Sequence, residues 1–171
     1  MTRFDEIRAS FWDSADYGVQ PPLADTAIED AEHELGVSLP AVLLALLQVQ
    51  NGGQVTARWN AFPTRVPTSW SDDHVPFSDL MGIGRREQMT SLLDSPHLVE
   101  EWGLPSPIVL LSGDGHCWIA LDYRTCGDQG DPAVAWFETD TGTELVLAPD
   151  FESFIEGLTA ADGFDTSAQP V

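Results

Sequence analysis

Two helices with well-marked ends, between residues 26 and 53, constrain the fold of this chain more than any other segment. Thr26 and Glu29 fit a capping box, in which each side chain satisfies an amide of the first helical turn. The first helix is expected to end at Gly36, because glycine adopts the left-handed conformation of a helix end without strain. The pattern therefore predicts a helix, a short break and a second helix.

The second helix is predicted to begin at Pro40 and to be buried on most sides. Proline is tolerated at the first position of a helix, where its missing amide has no partner in any case. The run that follows, AVLLALLQVQ, is apolar almost all the way round, which is typical of a helix inside a protein. Asn51-Gly52-Gly53 is predicted to stop this helix.

The rest of the chain predicts a β region, one long loop and further helices. Apolar segments between residues 107 and 148, separated by turn residues such as Ser112 to Gly115, predict four strands. Residues 54–79 carry three prolines and no clear element, so they are predicted to be a loop, followed by a short strand within 79–84. Helical spacing predicts helices over 4–12, 86–93, 98–102 and 151–158, the last capped by Asp150.

The chain is predicted to fold as one α+β domain over residues 1–162, because 171 residues suit one domain and neither a linker nor a repeat is visible. Residues 163–171 are polar and predicted to be a flexible tail. No apolar run approaches the roughly 20 residues of a membrane span, and the start lacks the apolar segment of a secretory signal. A cytoplasmic protein without membrane contact is therefore expected.

The charge of the chain is strongly acidic. It has 28 acidic residues against 7 basic ones, a formal net charge of −21, and every charged residue after Arg124 is acidic. Such a chain cannot neutralise phosphate backbones and is not expected to bind nucleic acid. It would attract a basic partner at low salt, although the same charge could equally serve solubility or follow a genome-wide acidic bias.

His116 and Cys117 stand side by side in a predicted strand but are not expected to form a catalytic pair. Successive side chains of a strand point to opposite faces, whereas a nucleophilic dyad needs its atoms within about 3 Å. Asp122 shares the face of His116, but six residues of strand separate the two by about 20 Å. Cys117 and Cys126 are instead predicted to be free thiols.

No other pattern predicts a catalytic, metal or cofactor site. Asp72-Asp73-His74 and Asp114-x-His116 could offer metal ligands, but neither has a second histidine or cysteine at ligand spacing. The glycine-rich turns lack the lysine of a phosphate-binding loop, and the serine-nucleophile motif G-x-S-x-G does not occur. Paired catalytic carboxylates remain open in so acidic a chain, but no pair stands out.

The segment IEDAEHELGVSLPAVLLALLQVQNGG resembles the signature of the SUKH superfamily (SMI1/KNR4-like domains), which is named in part after a fungal cell-wall regulator. The likeness continues in EWGLP, in the glycine-rich turn before IALDYR, in PAVAWF and in APDFESFIEGL, and it spans residues 20–160. The loop from Trp59 to Phe77 does not match. The signature residues named by this resemblance are Glu32, Gly36, Leu39, Pro40, Asn51, Gly52 and Gly53.

The resemblance implies an α+β domain with a twisted, mostly antiparallel sheet packed by helices. It also implies a non-catalytic bacterial immunity protein, which binds and blocks a cognate polymorphic toxin in the producing cell. Such toxins are often nucleases or deaminases, whose basic surfaces would suit an acidic partner. The alternative is a regulatory scaffold that binds cellular clients, as the fungal member does, and a toxin gene beside this one would favour immunity.

The signature residues are expected to determine the fold and not to contact a partner, with Glu32 holding a loop amide or an arginine. Partner contacts are expected at exposed tryptophans beside acids, because interface cores favour tryptophan and charged rims orient the partner. The candidates are Trp70, Asp72, Asp73, Asp114 and Trp118, although Trp118 is at least as well suited to the core.

Overall fold

The protein combines helices with antiparallel sheets, seen in a computed structural model that describes residues 2–165. The predicted α+β fold class is thereby confirmed. Within residues 2–165 the helices are α1 (Arg3–Ser10), α2 (Asp25–Leu35), α3 (Ala41–Val49), a 3₁₀ helix (Leu92–Asp94), α4 (Ser95–Trp102), α5 (Phe151–Glu156) and α6 (Asp162–Asp165). The strands in the same range are β1 (Gly53–Gln54), β2 (Ala61–Pro63), β3 (His74–Pro76), β4 (Asp79–Leu80), β5 (Ile108–Gly113), β6 (Cys117–Asp122), β7 (Ala133–Glu138) and β8 (Thr143–Ala148).

Strands β5 to β8 form one antiparallel sheet in chain order, at the positions that the sequence predicted. The two middle strands, β6 and β7, are buried at all but their first residues, so both faces of the sheet are covered. Helix α5 packs against β7 and β8, and α4 packs against β5. The ring of Phe154 in α5 lies 4.9 Å from that of Phe62 and 5.0 Å from that of Phe77, which joins the helix to the segment before the sheet.

The segment 54–79, predicted to be a loop, contains short strands, so this prediction was wrong in part. Strand β1 pairs with β4, and β2 pairs with β3, both antiparallel. Strands of two or three residues are too short to show a period in the sequence, and only their partners fix them. The connection between β2 and β3, residues 64–73, is irregular and carries Trp70.

Several helix starts differ from their predictions, including those of α2 and of the helix predicted over 86–93. Helix α2 begins two residues earlier than the predicted capping box allows, with Ala24 at its N-cap, so the hydroxyl of Thr26 lies inside the first turn. The predicted helix over 86–93 is absent from the described chain, and Gln88 there has a φ of 63°. The helical segment starts later, where Ser91 Oγ accepts from the Leu93 amide and Asp94 accepts from the Ser91 amide.

Helix α3 is fully buried on one side and partly buried on its flanks, so the predicted burial on most sides is met only in part. Leu43, Leu46 and Leu47 are buried, whereas Val49 is exposed at its end. The apolar composition of the helix exceeds what the core covers, so composition alone overestimated its burial.

Asn51, at the end of α3, joins three separate segments of the chain through its buried side chain. Its Nδ2 donates to Pro21 O at 2.8 Å and to Ile83 O at 2.7 Å, and its Oδ1 accepts from the Ile83 amide at 2.8 Å. Its backbone carbonyl accepts from the Gln20 amide at 2.8 Å. Gly52 follows with a φ of 92°, and a Cβ there would lie 2.6 Å from the Gly82 nitrogen. Any larger residue would push these segments apart.

The break between α2 and α3 is held by a carboxylate. Gly36 ends α2 with a φ of 72°, and Glu32 Oε2 accepts from the Leu39 amide at 2.7 Å. Leu39 is buried, and Pro40 stands at the N-cap of α3. Glu32 thus contacts a loop amide, which is one of the two partners expected from the sequence.

The end of the described chain is helical. Gly163 and Phe164, which the sequence assigns to the tail, lie in α6, and residues 166–171 of the predicted tail fall outside the described residues. Among residues 2–165 there is no helix with the length and apolar character of a membrane span.

Replacing Asn51 with alanine is expected to lower the free energy of unfolding by about 3 kcal/mol, because the change removes three hydrogen bonds and leaves buried amide and carbonyl groups unpaired. Urea unfolding followed by tryptophan fluorescence measures the loss. Gln48→Ala, at an exposed position of the same helix, is the control and is expected to change stability little. Equal stabilities of the two variants would contradict the role given to Asn51.

Candidate partner-binding surface

The loop between β2 and β3 holds Trp70 in a fixed place although its side chain is 54% exposed. Ser69 ties the loop to the sheet, because its backbone amide and its hydroxyl both donate to the carboxylate of Glu138 at the end of β7. Thr68 closes the turn on the other side, with its amide donating to Ser71 O at 2.8 Å. The indole of Trp70 is therefore presented to solvent by an ordered loop.

A pocket of about 220 Å³, which we call the Trp70 pocket, has Trp70 in its lining. The pairing register brings Ser112 of β5, Ile119 of β6 and Trp136 of β7 next to each other across one face of the sheet. Its apolar lining comes from Trp70, Pro76, Ile119 and Trp136, and its polar lining includes Ser78, Asp79, Ser112, Asp114 and Cys117.

Asp79 is a carboxylate in a mostly apolar pocket. Its Oδ1 accepts from the Ser112 hydroxyl at 2.7 Å. Burial raises the pKa of Asp79, and the hydrogen bond from Ser112 only partly opposes this. Among residues 2–165, no arginine or histidine forms an ion pair with it. A carboxylate with a perturbed pKa in a pocket is a common mark of a functional site.

Cys117 also lines the Trp70 pocket, and its environment disfavours a thiolate. Burial raises the pKa of the Cys117 thiol, and the carboxylates of Asp114, Glu138 and Asp140 raise it further. Since the thiolate is the nucleophilic form, this environment does not activate the residue. The neighbouring His116 has other contacts, because its Nδ1 lies 3.3 Å from Asp140 Oδ2.

The turn between β5 and β6 connects the pocket to a second exposed tryptophan, Trp102 at the end of α4. Asp114 shapes this turn, since its Oδ1 accepts from the amides of His116 and Cys117 at 3.0 and 2.9 Å. Trp102 is 38% exposed, lies against Gly115 and has its ring 6.1 Å from that of His116. We call the exposed residues around this turn the two-tryptophan surface: Trp70, Asp72, Trp102, Asp114, His116 and Asp140.

The structure contradicts one predicted contact residue, Trp118. Its side chain is only 4% exposed, and its Nε1 donates to Gly115 O at 3.1 Å. Trp118 pairs with Phe137 on the face of the sheet opposite to Cys117. Both faces of β6 are covered, so Trp118 belongs to the core, which is the alternative that the sequence also offered.

The other predicted contact residues lie close together, but they differ in whether their side chains are already bonded within the protein. Trp70 and Asp114 line the same pocket, and Asp72 is exposed in the loop of Trp70. Asp73 is already engaged, because its Oδ1 contacts His74 Nδ1 at 2.8 Å and accepts from the Ser71 hydroxyl at 3.0 Å. The hydrogen bond with His74 lowers the pKa of Asp73. Asp73 thus shapes the loop, and Asp72 and Asp114 are the acids that it presents.

Sequence reasoning missed four residues of this region, and only one of them had a usable signal. Trp102 follows two glutamates, the same pattern of tryptophan beside acids that selected Trp70. Asp79, Trp136 and Glu138 gave no signal, because their roles arise from the pairing of distant strands. Within the part of the chain described, no group of three or more histidine, cysteine or acidic side chains is arranged to hold a metal ion.

The Asp79→Asn variant is expected to be more stable than the parent at pH 7. A raised folded-state pKa means that the folded protein binds the proton more tightly than the unfolded chain, so stability falls as pH rises above about 4, the ordinary aspartate pKa, through the folded-state value. Asparagine removes this loss and can still accept from Ser112. Urea unfolding at pH 7 and pH 4 tests this: the gain in stability over the parent should shrink at the lower pH.

Glu29→Gln, at an exposed site of α2, controls for the loss of one charge. A stability difference between Asp79→Asn and the parent that does not depend on pH would contradict the expectation.

Comparison with known proteins gives one match. The model of the SMI1 / KNR4 family (SUKH-1) matches residues 22–157, a range that contains the signature residues and the whole two-tryptophan surface. Neither the curated proteins nor the solved structures give a match. Because the family model covers well over half of the 171 residues, and because the break at Gly36 and the Asn51-Gly52-Gly53 turn lie where the signature requires them, the chain belongs to the SMI1/KNR4 family (SUKH-1).

Proposed function

We propose that this chain is a non-catalytic, cytoplasmic immunity protein that binds and neutralises a basic toxin domain of the nuclease or deaminase class. Membership in the SMI1/KNR4 family supports a non-enzymatic immunity or regulatory role at the level of the family. The observation that carries the proposal for this chain is the two-tryptophan surface, where two exposed indoles stand among the carboxylates of Asp72, Asp114 and Asp140.

The composition of this surface suits a tight protein interface. Trp70 and Trp102 supply large rigid apolar areas of the kind that dominate binding energy at interfaces. The acids around them would orient a basic partner and speed its approach, helped by the net charge of −21. Covering a toxin's basic substrate-binding face would block its activity without any chemical step by this chain.

Co-expression with the neighbouring genes tests the proposed function. Each open reading frame beside this gene is expressed in a bacterial host, alone and with this chain, and growth is measured. The expected result is one neighbour whose C-terminal domain stops growth alone, is harmless with this chain and is retained by it at 1:1 stoichiometry. Neighbours that are all harmless, together with capture of several unrelated cellular proteins, would overturn immunity and favour a regulatory scaffold.

Once the partner is isolated, the double variant Asp72→Asn with Asp114→Asn is expected to slow association roughly 3- to 10-fold at low salt, because steering weakens when local charge is removed. The dissociation rate is expected to change much less. Asparagine at 114 keeps the Oδ1 acceptor that forms the turn. Surface plasmon resonance at two salt concentrations measures both rates.

The control for this pair is Glu29→Gln with Asp30→Asn, which removes the same charge from exposed positions of α2. It is expected to slow association less than the first pair. Equal slowing by both pairs would mean that only the net charge acts, and it would remove Asp72 and Asp114 from the interface.

A further inference from the structure

The Trp70 pocket has the size for one side chain. Pockets that hold small-molecule ligands measure about 300–1,000 Å³, whereas this one measures about 220 Å³. Apolar walls with a carboxylate between them suit a long side chain that is apolar along its stem and charged at its end. The pocket opens on the two-tryptophan surface, so a bound protein could place such a side chain in it.

The carboxylate of Asp79 indicates the charge of that end. One of its oxygens accepts from Ser112, and among residues 2–165 no basic group neutralises it. A carboxylate without a cation in an apolar pocket destabilises the free protein, and a cation from a partner would remove that penalty. The pocket is therefore complementary to a positive charge.

Trp70 indicates which cation fits. A planar guanidinium stacks on an indole and binds a carboxylate with two parallel hydrogen bonds, which an ammonium does not do. This chain already uses such stacking elsewhere, since the guanidinium carbon of Arg58 lies 4.7 Å from the ring centroid of Trp59. The bonds from Ser69 to Glu138 hold the backbone next to Trp70, which keeps this residue at the pocket where its indole can cover a guanidinium.

Trp136 supplies a second, independent observation at the same pocket. It lines the Trp70 pocket, is 2% exposed, and its Nε1–H has no acceptor among the described residues. Buried indole N–H groups usually find a partner. The residues that line the pocket thus include one with an unmatched donor and one with a carboxylate lacking a cation, and an arginine residue within a polypeptide offers both a guanidinium and a main-chain carbonyl.

We propose that the Trp70 pocket receives one arginine side chain of the protein partner, with the guanidinium on Asp79 beneath the indole of Trp70. This proposal rests on the proposed function in one respect, that the partner is a basic protein. It adds the group that is recognised and the residues that recognise it: Asp79 as the acceptor, Trp70 as the stacking face and Trp136 as the donor to the adjoining carbonyl.

Titration with a short peptide tests the pocket without the partner. The probe is acetyl-Gly-Arg-Gly-amide, and the control is the glutamine peptide, which has a neutral amide of similar length. The indole ¹H–¹⁵N signals of the full chain are followed by NMR and assigned with Trp70→Phe and Trp136→Phe. The expected result is saturable shifts of the Trp70 and Trp136 signals with the arginine peptide, at an affinity at least tenfold above that for the glutamine peptide.

The Asp79→Asn variant separates the pocket from general attraction by an acidic protein. It is expected to weaken arginine-peptide binding at least tenfold, whereas Glu29→Gln, which removes one charge far from the pocket in sequence and on α2, should change it less than twofold. Asp79→Asn is expected to fold, so loss of binding is not loss of structure. Equal effects of the two variants, equal binding of the two peptides, or no saturable shift of either indole would each overturn the proposal.

The two proposals can fail separately. Arginine-peptide binding that depends on Asp79, together with harmless neighbouring genes, would leave the pocket standing and remove the immunity role. A neutralised toxin whose affinity is unchanged by Asp79→Asn, together with a peptide titration that shifts neither indole signal, would support the immunity role and remove the arginine pocket.

Discussion

The fold depends on the side chain of Asn51 more than on any other polar group. One buried amide joins the chain before α2, the end of α3 and the segment after β4, through bonds to Pro21 and Ile83. These segments are far apart in sequence, so no local propensity could bring them together. Each bond satisfies a backbone group that burial would otherwise leave unpaired, which explains why a polar residue stands there. The glycines beside it, Gly52 and Gly82, permit the close approach of the backbones on which the bonds depend.

The signature residues and the residues of the candidate surface occupy different parts of the molecule. Glu32, Gly36 and Asn51 face the interior or the helix break, where each has a hydrogen-bond or backbone role. Trp70 lies on a loop tied to the end of β7, and Trp102 lies at a helix end against the turn before β6. A frame of this kind can keep its internal hydrogen bonds while the exposed residues vary. Such an arrangement suits proteins that must each match a different partner, because changes at the surface leave the frame intact.

The sequence predicted the elements whose signals are local. The four strands of the sheet, the left-handed end at Gly36 and the cap at Asp150 were found because apolar runs, glycine and aspartate act on their own neighbourhood. The prediction of a helix over 86–93 was wrong because the capping interactions around Ser91 start the helix later, and apolar spacing cannot show where a cap lies. The sequence left Trp118 open between core and surface, because alternation does not say how many faces of a strand are covered. Asp79 could not be found at all, since its burial results from the pairing of β1 with β4 and its contact with β5.

The acidic charge of this chain has more than one physical use. Several carboxylates accept hydrogen bonds from the backbone: Glu32 at the helix break, Asp114 in its turn, Glu138 beneath the Trp70 loop and Asp150 at the start of α5. These acids build the fold and need no partner, so part of the charge is explained by structure alone. Asp79 differs from them, because its one hydrogen bond does not offset its burial and its pKa is raised. If Asp79 only built the fold, an amide in its place would be more stable. A cation supplied by a binding partner would account for the carboxylate of Asp79 in a pocket that an exposed indole lines. The negative charge of the surrounding surface would then guide that cation to the pocket.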